Sequence, residues 1–434
     1  MKKSLFFIAV ALFAGLQLTA QITEKKRCGE FEAVQERNKV SPGYANRVDA
    51  AFNYAKQIAE ANKANRGASD TVYRIRCVFH IVYTNAGENI PDSLIYNQLD
   101  ILNRDYRRLN ADTVQTRAVF QPFAADAGIE FYLADTDPSG NPTTGITRSL
   151  GSPAIPFLGF SINDEVKKAS TGGVDAWPTD KYLNIWVCNL FGGIVLGYAY
   201  PPSNAPNWDA SQFADSVFQG VVLHYGAVGA GNPAALDATV AGGRSAVHEI
   251  GHYLGLRHIW GDGDCSLDDG INDTPDADAA SQQACDTTKN TCVESPVDYP
   301  DMIENYMDYS DDRCLNMFTH EQVGIMRAML QTSRAGIATT SVVSGINKEE
   351  AFSSVQLYPN PSTGLVTLKV YADGGEKYSY EVFNALGEKL AVAGNGVFAA
   401  SQTIDLSNQS TGIYMVRISA GNKVTYRKLQ LVRN

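Results

Sequence analysis

Three of the six histidines of this 434-residue chain lie within one stretch of eleven residues. His248 and His252 are four positions apart, so on a helix they face the same side and can hold one zinc ion at about 2.0–2.1 Å. Gly255 lets the helix stop and the chain turn back, because glycine tolerates a positive φ. After that turn His258 can become the third ligand, so the pattern predicts a site of three neutral nitrogen ligands.

Glu249 directly follows the first histidine, which rotates its carboxylate toward the open side of the helix. Three protein ligands leave the fourth position of a tetrahedral zinc site to water, whose pKa the metal lowers to near neutrality. Glu249 would accept the proton of that water and pass it to a leaving amine. We therefore predict hydrolysis of protein and peptide bonds. The alternative is a surface adhesion or binding protein with a structural zinc site, which would not need this glutamate.

A second motif follows about fifty residues downstream, at 305–309, and resembles the Met-turn of metzincins. Met307 would form a soft, apolar floor beneath the imidazoles. Tyr309 would stand near the metal, with its hydroxyl free to donate to a developing oxyanion.

Composition indicates an exported globular protein. Hydrophobic residues make up 44% of the chain, enough for two or three folded units, and the net charge of −11 argues against nucleic acid as a partner. Lys2, Lys3 and an apolar run that ends near Leu18 are typical of a signal peptide, with cleavage after Ala20. No later stretch is apolar enough to cross a membrane, and we expect a monomer.

The remaining chain divides into four parts. Residues 21–67 form a polar pro-segment with one helix at 44–63, and residues 68–338 form an α/β catalytic unit. A linker at 339–352 leads to 353–434, where short alternating strands predict a small all-β sandwich. Predicted elements of the catalytic unit are a helix at 93–109 and strands at 73–83, 129–133, 182–188 and 193–200. Predicted strands of the sandwich are 365–370, 378–383, 397–404, 413–418 and 425–431.

Seven cysteines are expected to meet an oxidising compartment. Four of them, Cys265, Cys285, Cys292 and Cys314, lie in a stretch poor in core residues, where disulfides stabilise most, and spacing alone allows three pairings. Cys77 and Cys188 lie in apolar strands, either as buried thiols or as a disulfide between strands.

The zinc motif, Trp260-Gly261, Asp273-Thr274-Pro275 and the 305–309 motif together resemble the pappalysin family of metzincins over residues 70–335. The resemblance implies a latent zinc endopeptidase with a mixed twisted sheet, an active-site helix and an irregular C-terminal subdomain. It also implies the disulfides Cys265–Cys292 and Cys285–Cys314.

Three further assignments come from the same resemblance. A calcium site would involve Asp269, Asp273 and Thr274, and oxygen ligands on a loop suit that ion. Asp312 would form the base of the pocket that receives the residue after the cut, which favours Arg or Lys. Cys28, within Arg27-Cys28-Gly29, would bind the zinc in the latent form, until a cut near Arg66-Gly67 removes the pro-segment.

The tail resembles the C-terminal sorting domain of type IX secretion cargo, through Leu357-Tyr358-Pro359-Asn360-Pro361, Val382-Phe383-Asn384-Ala385-Leu386-Gly387 and Gly412-Ile413-Tyr414. It implies export across an outer membrane by the type IX machinery to the medium or the cell surface. An adhesive or sugar-binding sandwich is the other interpretation.

Overall fold

The computed structural model describes residues 26–63, 71–151, 164–204, 218–342, 354–371, 377–384, 388–397, 401–420 and 423–432. The expected signal peptide, the expected cut at Arg66-Gly67 and the linker residues after 342 lie outside these ranges. The chain divides into two compact units, Met1–Val342 and Val343–Asn434.

The first unit is an α/β structure. Its helices are α1 (Glu30–Val40), α2 (Tyr44–Lys63), α3 (Asp92–Tyr106), α4 (Arg244–Tyr253) and α5 (His320–Gln331). Its strands are β1 (Lys26–Cys28), β2 (Thr71–Tyr83), β3 (Ala124–Ala125), β4 (Ile129–Leu133), β5 (Ile146–Leu150), β6 (Leu183–Cys188), β7 (Val195–Ala199), β8 (Val221–His224), β9 (Phe318–Thr319) and β10 (Ala338–Val342).

An eight-stranded mixed sheet is built around β2. This strand is long enough to pair with β4 and β5 along one edge and with β6 and β10 along the other. The sheet continues from β6 through β8 and β7 to β1. Strand β7 runs antiparallel to β8, whereas β1 runs parallel to β7. Strand β1, which contains the first described residues of the chain, therefore forms the sheet edge next to α4.

Two differences from the sequence predictions lie at the ends of the first unit. The segment before β2 contains two helices, because α1 precedes the predicted helix at 44–63. Only Ala33 and Val34 of α1 are buried. A helix that buries so few residues shows little apolar periodicity in its sequence, which is why it was not predicted. Residues 339–342, predicted as linker, instead belong to β10, which pairs antiparallel with β2.

The second unit is all-β, with β11 (Ser354–Tyr358), β12 (Leu365–Tyr371), β13 (Lys377–Phe383), β14 (Lys389–Val397), β15 (Ser401–Asp405), β16 (Gly412–Ala420) and β17 (Lys423–Leu431). Two antiparallel sheets, β11-β12-β15 and β14-β13-β16-β17, share one apolar core. The single strand predicted at 397–404 is wrong, since Val397 ends β14 and Ser401 begins β15, in the other sheet. Gly394 and Gly396 weaken the strand pattern of β14 in the sequence, because glycine has no side chain to pack. In the structure the rings of Tyr380 and Tyr378, on the neighbouring strand, cover these two glycines.

Candidate metal centre

Helix α4 carries the first two histidines of the motif, His248 and His252. The helix ends before Gly255, which has φ +91°, and a Cβ there would lie 2.6 Å from Cε of Met329. The positive φ favours glycine at this position, and a larger residue would also displace the end of the Met329 side chain. The turn returns His258 to the helix, so that Nε2 of His252 lies 3.0 Å from Nε2 of both His248 and His258.

Each imidazole is held through Nδ1 by an oxygen atom that accepts its proton. The three pairs are His248 with the carbonyl of Tyr306 (2.7 Å), His252 with the carbonyl of Leu256 (2.9 Å) and His258 with the carboxylate of Asp262 (2.6 Å). Because these oxygens fix the proton on Nδ1, a bare lone pair remains on each Nε2.

This arrangement fits a metal ion. Three lone pairs that converge at 3.0 Å repel one another unless a cation lies between them. Burial lowers the pKa values of His248 and His252 well below the ordinary value, which keeps both rings neutral, the form that binds metals. Sγ of Cys28 joins the three imidazoles, and these four donor atoms lie within 4.8 Å of one another. Nitrogen and sulfur donors in this number suit zinc.

Glu249 lies fully buried beside the histidines. One carboxylate oxygen accepts from Sγ of Cys28 at 3.3 Å, and the other is buried without a hydrogen-bond partner among the described residues. Burial raises the pKa of Glu249 to about 8, against the opposing effects of Cys28 and Arg27. Strand β7 makes room for this side chain, because a Cβ at Gly197 would lie 2.7 Å from Cγ of Glu249.

The 305–309 motif passes directly against α4. Met307 is fully buried, and a Cβ at Gly251 of α4 would lie 2.5 Å from its sulfur atom. Oη of Tyr309 lies 3.2 Å from Nε2 of His258 and donates to the carbonyl of Cys28 at 3.3 Å. The hydroxyl therefore stands beside the converging imidazoles.

The N-terminal segment, residues 26–63, crosses this centre. Cys28 lies opposite Gly197 in the parallel β1–β7 ladder, and Gly29 N donates to the carbonyl of Gly197 at 2.9 Å. This strand pairing places the thiol of Cys28 beside the imidazoles. Burial, and then the neighbouring Glu249, raises the pKa of the Cys28 thiol well above its ordinary value when no metal is bound.

Asp312 lies beside the N-terminus of α4, and its carboxylate pairs with the guanidinium of Arg27. Both side chains are almost completely buried, and Arg27 also donates to the carbonyl of Ser310 at 2.7 Å. The second carboxylate oxygen of Asp312 accepts from the backbone N–H groups of Gly242 at 2.8 Å and Arg244 at 3.3 Å. A helix N-terminus stabilises negative charge, so this carboxylate is held independently of Arg27.

The three residues expected to bind calcium do not converge. Both carboxylate oxygens of Asp269 accept from the hydroxyl of Thr274 at 3.0 Å. Asp273 turns away to α5, where it accepts from the hydroxyl of Thr319 at 2.6 Å and from Glu321 N at 2.9 Å. Burial raises the pKa of Asp269 well above its ordinary value.

Two disulfides cross the loop-rich stretch after α4: Cys265–Cys292, with a Cα–Cα distance of 5.6 Å, and Cys285–Cys314, with 5.9 Å. This is the pairing that the family resemblance implied. Cys77 and Cys188 are free and buried. They lie on neighbouring strands, but Cys77 faces Leu183, five residues before Cys188, so no disulfide joins them.

Several groups at this centre were not predicted from the sequence. Asp262, four residues after His258, is the one that spacing could have found. The partnership of Arg27 with Asp312, and the glycine at 197 beneath Glu249, join segments far apart in the chain. Only the fold brings them together.

Two family profiles match the chain. One is described as pregnancy-associated plasma protein-A and covers residues 167–331. The other is a secretion system C-terminal sorting domain and covers residues 356–432.

Similar proteins agree with both profiles. Mature mirolysin of Tannerella forsythia, solved with a cleaved peptide, is 42% identical over 61% of this chain and 95% of its own, with a TM-score of 0.54. A promirolysin variant from the same organism is 37% identical over 72% of this chain and 97% of its own, with a TM-score of 0.60. An extracellular metalloprotease of Pyricularia oryzae is 28% identical over 341 residues, which are 77% of this chain and 98% of that protein.

The sorting domain and the extracellular relatives assign the protein to the secreted or cell-surface fraction. No helix among the described residues is both long and apolar enough to span a bilayer. The family implies a catalytic zinc ion, for which the four-donor cluster offers a place. The chain belongs to the pappalysin family of metzincin metalloendopeptidases and carries a type IX sorting domain behind its catalytic unit.

Proposed function

We propose that this protein is the latent precursor of a zinc endopeptidase that cuts protein and peptide bonds before Arg or Lys. One observation carries the proposal. Two adjacent residues of the N-terminal segment fill two separate features of the catalytic unit, Cys28 at the imidazoles and Arg27 at Asp312. Arg27 therefore lies where the side chain of an arginine directly after the cut would lie in a bound substrate.

The chain's own groups suit peptide hydrolysis. A bound zinc ion supplies Lewis acidity, which polarises a carbonyl and acidifies water. Glu249 is the general base, since its carboxylate is buried beside the imidazoles and one of its oxygens has no hydrogen-bond partner among the described residues. Tyr309 donates from its hydroxyl to the oxyanion that forms at the substrate carbonyl. The carbonyl and carboxylate partners of the histidines keep the ligand nitrogens aimed at one point.

Substrate direction follows from the position of Asp312. Arg27 precedes Cys28, so the Asp312 pocket lies on the Val195 side of Gly197 along β7. If this pocket receives the residue after the cut, an extended substrate must run antiparallel to β7 and add to it as a strand. The N-terminal segment runs parallel to β7, opposite to the proposed direction of a substrate. Its peptide bonds therefore face the metal position in the reverse orientation.

Latency in this proposal rests on Cys28. Its thiolate would occupy the fourth position at the zinc ion, and the segment would leave only after a cut between 63 and 71. At the proposed site near Arg66-Gly67, the bond before Arg66 is the one that an enzyme cutting before arginine would open.

Calcium binding by Asp269, Asp273 and Thr274 remains part of the proposal. A buried carboxylate whose pKa is raised by burial favours a cation that compensates its charge. The present side-chain directions imply that the loop must rearrange to bind it.

The test compares processed protein, from which residues 1–67 have been removed, with and without a zinc chelator. Casein or gelatin should be hydrolysed, the chelator should stop hydrolysis, and added zinc should restore it. Mass spectrometry of the products and of the protein termini maps the cuts. A surface-binding protein with structural zinc would leave casein intact in every condition, and that result would refute the proposal.

A further inference from the structure

Tyr44 of the N-terminal segment is seated in a second side-chain pocket of the catalytic unit. It is the first residue of α2, and its side chain is fully buried. Its ring meets Tyr200 edge to face, with centroids 6.1 Å apart, and its hydroxyl donates to the carbonyl of Pro201 at 3.3 Å. Burial raises the pKa of Tyr44, and the Arg334 guanidinium opposes that rise.

The walls of this pocket are held by the catalytic unit itself. The hydroxyl of Tyr200 donates to Asp164 at 2.7 Å. The guanidinium of Arg334 donates to the Tyr200 carbonyl at 3.1 Å and to the side chain of Gln219 at 2.5 Å, and it lies 3.9 Å from the centroid of the Tyr253 ring. None of these contacts uses the N-terminal segment, so the departure of that segment breaks none of them.

The pocket lies along the edge that a substrate would use. Tyr200 directly follows β7, three residues after Gly197, which is about 10 Å along an extended strand. The Asp312 pocket lies on the opposite side of Gly197. With the substrate antiparallel to β7, residues before the cut extend toward Tyr200.

We propose that the Tyr44 pocket becomes a substrate subsite after activation and binds an aromatic side chain, with tyrosine preferred, that lies upstream of the cut. The inference rests on the proposed function, because it takes the substrate direction from the Asp312 pocket. The ring of Tyr200 accepts an aromatic ring edge to face. The carbonyl of Pro201 accepts from a phenol and not from a phenyl ring, which separates Tyr from Phe.

The experiment uses processed enzyme and internally quenched peptides that share one Arg cut site. Each peptide carries Ala, Leu, Phe or Tyr at one position, the third to the sixth residue before the cut. At one of these positions Tyr should raise kcat/KM about tenfold over Ala, mainly through KM, with a smaller gain for Phe. Equal values for Ala and Tyr at all four positions would overturn the subsite. Absence of cleavage in every peptide would instead refute the proposed function.

A variant of the enzyme tests the pocket from the other side. Tyr200→Leu removes the ring, so the ratio of kcat/KM for the Tyr and Ala peptides should fall toward one. Tyr96→Leu is the matched control, because Tyr96 is exposed on α3, and its ratio should stay as in the unaltered enzyme. An unchanged ratio in Tyr200→Leu would contradict the assignment. If that variant does not fold, the peptide series on unaltered enzyme decides alone.

Discussion

The three-histidine centre and the acidic loop at 269–274 both resemble metal sites in the sequence, and they differ in where their donor atoms point. At the centre, every Nδ1 is bound from behind and the Nε2 atoms converge at 3.0 Å. In the loop, Asp269 accepts from Thr274, while Asp273 turns to the start of α5. The first group is arranged around a common point, and the second is satisfied by its own neighbours.

The difference has a physical origin. Side chains four residues apart on a helix share a face, so spacing alone directs His248 and His252 to one point. Aspartates in a loop have no such constraint, and their carboxylates accept from nearby backbone and hydroxyl donors. We therefore expect a preformed zinc site and a calcium site that forms only after the loop rearranges. Four experiments test this contrast.

The largest effect is expected for Glu249→Ala. Loss of the general base should lower kcat/KM by about 10²–10⁴-fold, while the three imidazoles still hold zinc. Peptide hydrolysis and metal content are measured on protein that an added protease has processed. Glu130→Ala, on β4, is the control and should behave as the unaltered enzyme. Retained hydrolysis, or loss of zinc together with activity, would show that Glu249 does not have this separate role.

Asp312→Ala should change specificity. Removing a carboxylate that binds a guanidinium should lower kcat/KM for Arg peptides about 10- to 100-fold relative to Leu peptides. Product mapping of a peptide library gives the preference after the cut. Asp311→Ala is the control, because its carboxylate binds Arg313 and not Arg27. A cleavage map identical to that of the unaltered enzyme would exclude Asp312 as the specificity residue.

Cys28→Ala should shorten the time that the precursor needs to become active by several-fold, since the thiol no longer competes at the metal. Activity against a fluorogenic peptide is followed from the moment of purification. Cys188→Ala removes another buried free thiol and should leave the time course unchanged. Coinciding time courses for the Cys28 variant and the unaltered precursor would refute the switch.

The smallest effect concerns the acidic loop. Calcium at about 100 times its dissociation constant should raise the melting temperature of the processed protein by about 5–10 °C. Asp269→Asn should lose most of that gain, because the buried charge is gone. Asp298→Asn, at a surface aspartate outside the loop, should keep it. No calcium-dependent gain in the unaltered protein would remove the proposed site.

Periodic elements were predictable from the sequence. The helix predicted at 44–63 matches α2, with Ala51, Phe52 and Ala55 on its buried face. The strand predicted at 129–133 matches β4. Elements whose position depends on distant partners were missed. Helix α1 buries only two residues, and β10 is a strand because β2 offers it an edge.

The sequence alone determined that three imidazoles and a glutamate would meet on one helix and its following turn, because helical spacing fixes those directions. It also determined the division between a catalytic unit and an all-β tail, through the change in apolar periodicity. Only the tertiary structure decided that Arg27 fills the Asp312 pocket and that Tyr44 fills a second one. These contacts join residues more than 150 positions apart, and no local pattern encodes a pairing that depends on how the whole sheet is assembled.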